Sequence, residues 1–88
     1  MPKTVIYSTQ ICPYCVRAKN LLKKKNISYE EIMVNNPTIM EEMIQKAGGR
    51  RTVPQIFIGD THIGGFDDLY ASDQSGELDA LIKESEKN

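Results

Sequence analysis

Cys12 and Cys15 are the only cysteines in the 88-residue chain, and they flank Pro13 and Tyr14 in the stretch "TQICPYCVRAKN". A pair at this spacing could be a structural disulfide, half of a metal site or a thiol–disulfide redox centre. Pro13 suits the first position of a helix, where its missing N–H costs nothing, and this makes Cys12 the N-cap. A helix N-terminus presents unpaired N–H groups and the positive end of the helix dipole, so a thiolate at Cys12 is stabilised over its thiol. Arg17 and Lys19, within the first two turns, are placed to add to that field. In such motifs the thiol pKa falls below its free value of ~8.5, and the thiolate fraction sets much of the rate of attack on a disulfide. Cys15 lies one turn further in, nearer the covered face, close enough for a disulfide across the turn. Cys12 is therefore the natural attacking thiol and Cys15 the resolving one.

The rival uses of the pair are weaker. A disulfide closing so short a loop removes little entropy from the unfolded chain. A self-contained zinc site needs four ligands, and the chain adds only one histidine, His62, to its two cysteines. A site shared between two chains stays open. His62 sits in an apolar ribbon and reads as a surface strand residue.

Two further stretches are suited to hold a peptide-like ligand. In "RRTVPQIFI" a proline opens a strand that should enter the sheet interior. A cis Val53–Pro54 bond in a tight turn accounts for it and leaves the Val53 backbone free to pair with an extended ligand. The plainer alternative is an edge-strand proline with no ligand role. In "GGFDDLY" two glycines lead into a helix and let an anion approach its N–H groups. Asp67 and Asp68 could simply cap that helix. They could equally hold an ammonium while the N–H groups hold a carboxylate, and an amino-acid head group offers both charges.

The elements that must position these residues follow from apolar patterning. Thr4 to Tyr7 is a short β-branched and aromatic strand. The helix after Cys12 turns Cys15, Ala18, Leu21 and Leu22 to one face and ends in a run of lysines. Ile27 to Val34 is expected to be a second strand. Asn36–Pro37 starts a second helix with the stripe Ile39, Met40, Met43, Ile44 and Ala47, stopped at Gly48–Gly49. Gln55 to Ile58 and Thr61 to Ile63 form a hairpin about Gly59–Asp60. A short helix follows Gly64–Gly65, and a last one, beginning near Ser75, turns Leu78, Leu81 and Ile82 inward. The tail "KESEKN" reads as solvated. The order β-α-β-α-β-β-α-α implies an α/β sandwich, with parallel pairing among the early strands and an antiparallel hairpin at the edge.

A chain of this length holds one domain, residues 1–88. The formal net charge is −1, from 11 Lys and Arg against 12 Asp and Glu, and the cations form no single block. That points away from nucleic acid and membrane surfaces. The apolar runs are far shorter than the roughly 20 residues of a spanning helix, and "MPKTVIYS" lacks the apolar segment of a signal peptide. A reducing, cytoplasmic compartment is the expectation, where a lone pair of this spacing is more often redox-active or metal-binding than structural.

"CPYC", "TVPQIFI" and "GGFDDL", in this order and spacing, resemble the dithiol glutaredoxins, a branch of the thioredoxin fold, and the small bacterial-type members most. The resemblance implies a thioredoxin-like fold, a four-stranded mixed sheet with helices on both faces. It implies glutathione-dependent reduction of protein disulfides and of glutathione mixed disulfides, with Cys12 as nucleophile and Cys15 as resolving thiol. Glutathione, disulfide-containing proteins and glutathionylated proteins would be the partners, with no bound cofactor or metal and a monomeric chain. Tyr14 would lie beside the glutathione sulfur. Thr52, Val53 and a cis Pro54 would line the groove, and Gly65, Phe66, Asp67 and Asp68 would surround the γ-glutamyl end.

Two positions depart from the pattern. Thr9 stands where many members carry a lysine near the glycine carboxylate of glutathione, and charge-assisted hydrogen bonds are about twice as strong as neutral ones. Arg50, Arg51 or Lys19 would have to compensate, with Arg51 preferred. Phe66 stands where relatives often have a third cysteine, which limits oxidation to one intramolecular disulfide. Two rivals remain: a thioredoxin-like reductase recharged by a flavoprotein, and a dimer holding an iron–sulfur cluster through Cys12 and glutathione. The paired charges of "GGFDD" oppose the first, and Pro13 opposes the second, because cluster-binding members usually lack it.

Overall fold

The computed structural model describes residues 3–86, and side chains to residue 83. The proposed solvation of the tail falls largely outside the described side chains. The elements run β1 (Thr4–Ser8), α1 (Pro13–Lys24), β2 (Glu30–Met33), α2 (Pro37–Lys46), β3 (Gln55–Ile58), β4 (Thr61–Gly64), α3 (Phe66–Ser75) and α4 (Glu77–Glu86). The strands form one sheet in the order β2-β1-β3-β4. β1 pairs parallel with β2, as a strand–helix–strand crossover requires, and antiparallel with β3. β4 returns antiparallel beside β3, with a register shift between Ile56 and Phe57. The expected four-stranded mixed sheet is present.

Alternation along the two central strands divides the core. Ile6, Ile56 and Ile58 join Ala18 and Leu22 of α1, Leu69 of α3 and Leu78 of α4 in one buried cluster. Tyr7 and Phe57 face the other way, their rings edge to face at 5.8 Å. On that side Lys46 of α2 donates to the Tyr7 hydroxyl at 3.3 Å, and Met43 and Ala47 are buried. Three helices thus cover one face of the sheet and α2 the other.

Several boundaries differ from the sequence reading for local reasons. The second strand begins at Glu30 rather than Ile27, because the Ile27 N–H is still bonded to the Leu22 carbonyl of α1 at 2.9 Å. Asn26, at φ 60°, makes the turn, and Ile27 enters the core before the strand starts. Ser75, expected near the start of the last helix, closes α3 instead. Gly76 at φ 86° takes the left-handed conformation that ends α3, and α4 starts at Glu77. β4 extends one residue past Ile63, to Gly64. Pro54 is no edge-strand proline: it is buried, and the strand it precedes is central.

Candidate active site

Cys12 occupies the N-cap of α1 with extended backbone, and Pro13 is the first helical residue. Its sulfur accepts the Cys15 backbone N–H at 3.1 Å, so one unpaired donor of the helix end points at that sulfur. No acidic residue lies in the first turn of α1 to oppose a thiolate. The Cys12 and Cys15 sulfurs are joined in a disulfide, with Cα atoms 5.2 Å apart. The two cysteines are unequal in access: Cys12 is half-buried at the surface, whereas Cys15 is 1% exposed. The sequence-level cations have other engagements. The Arg17 guanidinium lies over the Tyr14 ring, 5.3 Å from its centre, and Lys19 pairs with Glu31 at 2.9 Å.

The Val53–Pro54 bond is cis. The turn it forms brings the Val53 carbonyl oxygen to 3.9 Å from the Cys12 sulfur, across 41 residues of sequence. Beside it lies a recess of about 150 Å³ lined by Tyr14, Thr52, Val53, Pro54, Gly65, Phe66, Asp67 and Asp68, together with Arg50. Eight of the nine predicted ligand-binding residues therefore meet at one place. Arg51 does not line the recess; it is exposed and has no ion-pair partner among the described residues.

Asp68 organises the recess end. Its Oδ2 accepts the Gly65 backbone N–H at 2.9 Å and the Arg50 guanidinium at 3.0 Å. The Gly65 N–H, and next the Arg50 side chain, hold its carboxyl below the ordinary value of 3.8, so it is an anion at neutral pH. Arg50 is thus committed to Asp68, a pairing the sequence reading missed by favouring its neighbour. Tyr14 and Phe66 form the opposite rim, ring centres 6.3 Å apart, with Tyr70 beyond Phe66 at 6.1 Å. Ile11, Tyr14, Val16 and Tyr70 are all more than half exposed, and Ile11 reaches 91%. Large apolar side chains are thus left in water beside Cys12 in the chain, at Ile11, Tyr14 and Val16, and next to Phe66, at Tyr70.

A larger hollow of about 550 Å³ lies on the α2 side of the sheet, lined by residues such as Val5, Tyr7, Ile32 and Phe57. No residue of the cysteine motif or the cis-proline turn borders it, so volume is a poorer guide here than the location of the Cys12–Cys15 disulfide. Among the described residues, no group of three or more His, Cys, Asp or Glu side chains is arranged to hold a metal ion. No helix among them is long and apolar enough to cross a membrane.

A family model described as Glutaredoxin matches residues 4–63. The chain belongs to the glutaredoxin family. Glutaredoxins are glutathione-dependent thiol–disulfide oxidoreductases, and this chain is an enzyme of that class. A glutaredoxin of Pseudomonas aeruginosa is 52% identical over 83 residues, 93% of this chain and 98% of that protein. The solution structure of glutaredoxin from Brucella melitensis matches with a TM-score of 0.82 at 48% identity, over 94% of this chain and 90% of that one. The crystal structure of a buckwheat glutaredoxin–glutathione complex matches with a TM-score of 0.84 at 32% identity, over 94% of this chain and 78% of that one. The thioredoxin-like architecture implied by the resemblance is the one these glutaredoxins share.

Proposed function

We propose that Cys12 is the nucleophile and Cys15 the resolving thiol in glutathione-dependent reduction of protein disulfides and glutathione mixed disulfides. The observation that carries this assignment is the asymmetry of the pair. Cys12 is accessible and accepts a helix-terminal N–H, whereas Cys15 is buried one turn behind it. With a glutathionylated protein, the Cys12 thiolate attacks the glutathione sulfur, the protein leaves as a thiolate that takes up a proton, and Cys12 becomes glutathionylated. A second glutathione thiolate attacks that mixed disulfide, releasing oxidised glutathione and the Cys12 thiolate. With a protein disulfide, Cys12 bonds to one substrate sulfur and expels the other. Cys15 then attacks the Cys12 sulfur, frees the substrate dithiol and leaves the Cys12–Cys15 disulfide for two glutathiones to reduce.

Glutathione would lie across the recess. The Val53 backbone pairs with its cysteinyl unit, between Thr52 and Pro54, and Tyr14 flanks its sulfur. Its γ-glutamyl end meets Gly65, Phe66, Asp67 and Asp68, where a helix terminus suits the carboxylate and Asp68 the ammonium. Arg51 is the cation offered to the glycine carboxylate in place of the lysine that Thr9 lacks. The exposed apolar residues around Cys12 fit a surface that meets protein substrates transiently. The enzyme works as a monomer in a reducing, cytoplasmic compartment, with glutathione as co-substrate and no resident cofactor.

The test separates the two cysteines. Cys12→Ser is expected to abolish both reactions in a glutathione-coupled assay. Cys15→Ser is expected to keep deglutathionylation and lose protein-disulfide reduction. Activity retained by Cys12→Ser, or protein-disulfide reduction retained by Cys15→Ser, refutes the respective role.

A further inference from the structure

The loop that places Val53 against Cys12 is secured from inside the sheet. Gln55, the first residue of β3, is fully buried in a central strand, a costly place for an amide unless all its polar atoms are paired. Its Nε2 donates to the Thr52 carbonyl oxygen at 3.0 Å and lies 3.3 Å from the Thr52 hydroxyl. Its Oε1 lies 2.7 Å from His62 Nε2 of β4. The carbonyl of Thr52 can only accept, so the amide nitrogen must face it and the amide oxygen must face the histidine. His62 Nε2 therefore carries the proton, and the chain of donors runs His62 to Gln55 to Thr52. The His62 ring is itself fixed by stacking on Phe57, ring centres 4.8 Å apart. Pro54 has no N–H to give, so a side chain supplies the donor that bridges this turn.

The geometry assigns Gln55 and His62 as positioning residues for glutathione, holding the Thr52–Val53 backbone at the spacing that pairs with the cysteinyl unit. Neither side chain lines the recess. They act through Thr52, and their loss should weaken ligand pairing while the Cys12 thiolate keeps its helix-terminal donor. This inference rests on the proposed use of the Val53 backbone by glutathione.

The test is steady-state kinetics with a glutathione mixed disulfide of a small thiol, on the full chain. Gln55→Met keeps the shape but takes the partner from the Thr52 carbonyl and the His62 N–H, so its fold is confirmed by urea denaturation before the kinetics are read. Gln55→Glu keeps the acceptor for His62 and removes the donor to Thr52. His62→Leu removes the other end. Each is expected to raise KM for the mixed disulfide about three- to tenfold, the worth of one hydrogen bond, with kcat nearly unchanged. The rate of Cys12 alkylation by iodoacetamide should not move. The Gln55→Met, His62→Leu double variant should be no worse than either single variant, because one chain of contacts is lost only once. Unchanged KM in a folded Gln55→Met variant overturns the assignment, as does strict additivity in the double variant or a fall in kcat with slower alkylation. A parent enzyme inactive on the mixed disulfide would instead refute the proposed function.

Discussion

Asp68 accepts two hydrogen bonds on a single oxygen, from Gly65 and Arg50, which leaves the other oxygen available to an incoming ammonium. Its carboxyl is held below the usual value, first by the Gly65 N–H and then by Arg50. A depressed carboxylate stays charged as the medium is acidified from neutrality and loses its effect only as pH falls through the folded pKa. Asp68→Asn should therefore raise KM for glutathione, and the ratio of variant to parent KM should be constant between pH 7 and pH 5. A ratio that shrinks steadily across that window would mean that Asp68 titrates there. Arg51 belongs to the same scale. As an exposed cation proposed to meet the glycine carboxylate it should matter modestly, so Arg51→Ala is expected to raise KM by about two- to fivefold with kcat unchanged. Arg50→Ala should act differently, by freeing Asp68 from its partner.

Helix ends carry the element-scale logic. α1 is capped by the Cys12 sulfur itself, so one contact caps the helix and, in the proposed mechanism, stabilises the thiolate. α2 has a purely structural cap: Asn36 Oδ1 accepts the Ile39 N–H at 2.9 Å, with Pro37 following. Asn36→Ala should cost about 1 kcal/mol in urea denaturation and leave kcat and KM untouched, because no catalytic atom rests on that end. At the α3–α4 junction Gly76 sits at φ 86° with open space where a Cβ would go. Gly76→Ala should therefore destabilise by about 1 kcal/mol through backbone conformation alone. Lys25, just after α1, bridges Asp73 at 3.1 Å and Asp79 at 2.9 Å, joining the ends of three helices on the far side from Cys12.

At the scale of the molecule, one core supports both halves of the site. Leu22 is fully buried in the cluster shared by α1, β1, β3, α3 and α4, and Leu22→Ala should cost about 2–5 kcal/mol. Stability should also depend on pH with a definite sign. Burial, and then the charge of Arg50, lowers His62 below 6.5, so its contribution is complete above that value and is lost as pH falls through the folded pKa. The Ser8 hydroxyl, and then Lys19, lowers Glu31 below 4.5, which adds a further loss at lower pH. Hydrogen bonds to Asp79 and Asp73 raise Lys25 above 10.5, and that contribution is complete below 10.5 and fades above it. Urea midpoints are expected to be flat from about pH 7 to pH 10 and to fall on the acid side first through His62. His62→Leu should remove the earliest part of that acid decline.

The sequence by itself determined the element order, the helix-capping role of Cys12 and the three segments that make the recess. These are legible because each is written locally: a proline at the first helical position, a two-residue period in the strands, glycines before a helix. It could not say that Ile27 is still tied to α1, since that bond competes with strand pairing only once Asn26 has turned. It could not separate Arg50 from Arg51, because adjacent side chains point different ways and only the approach of α3 decides which one meets Asp68. Nor could it see that Gln55 and His62 are neighbours, seven residues apart in sequence but side by side across the β3–β4 hairpin. Tertiary structure decided those pairings, because hydrogen bonds and ion pairs reach only about 3 Å and every such meeting waits on the packing of separate elements.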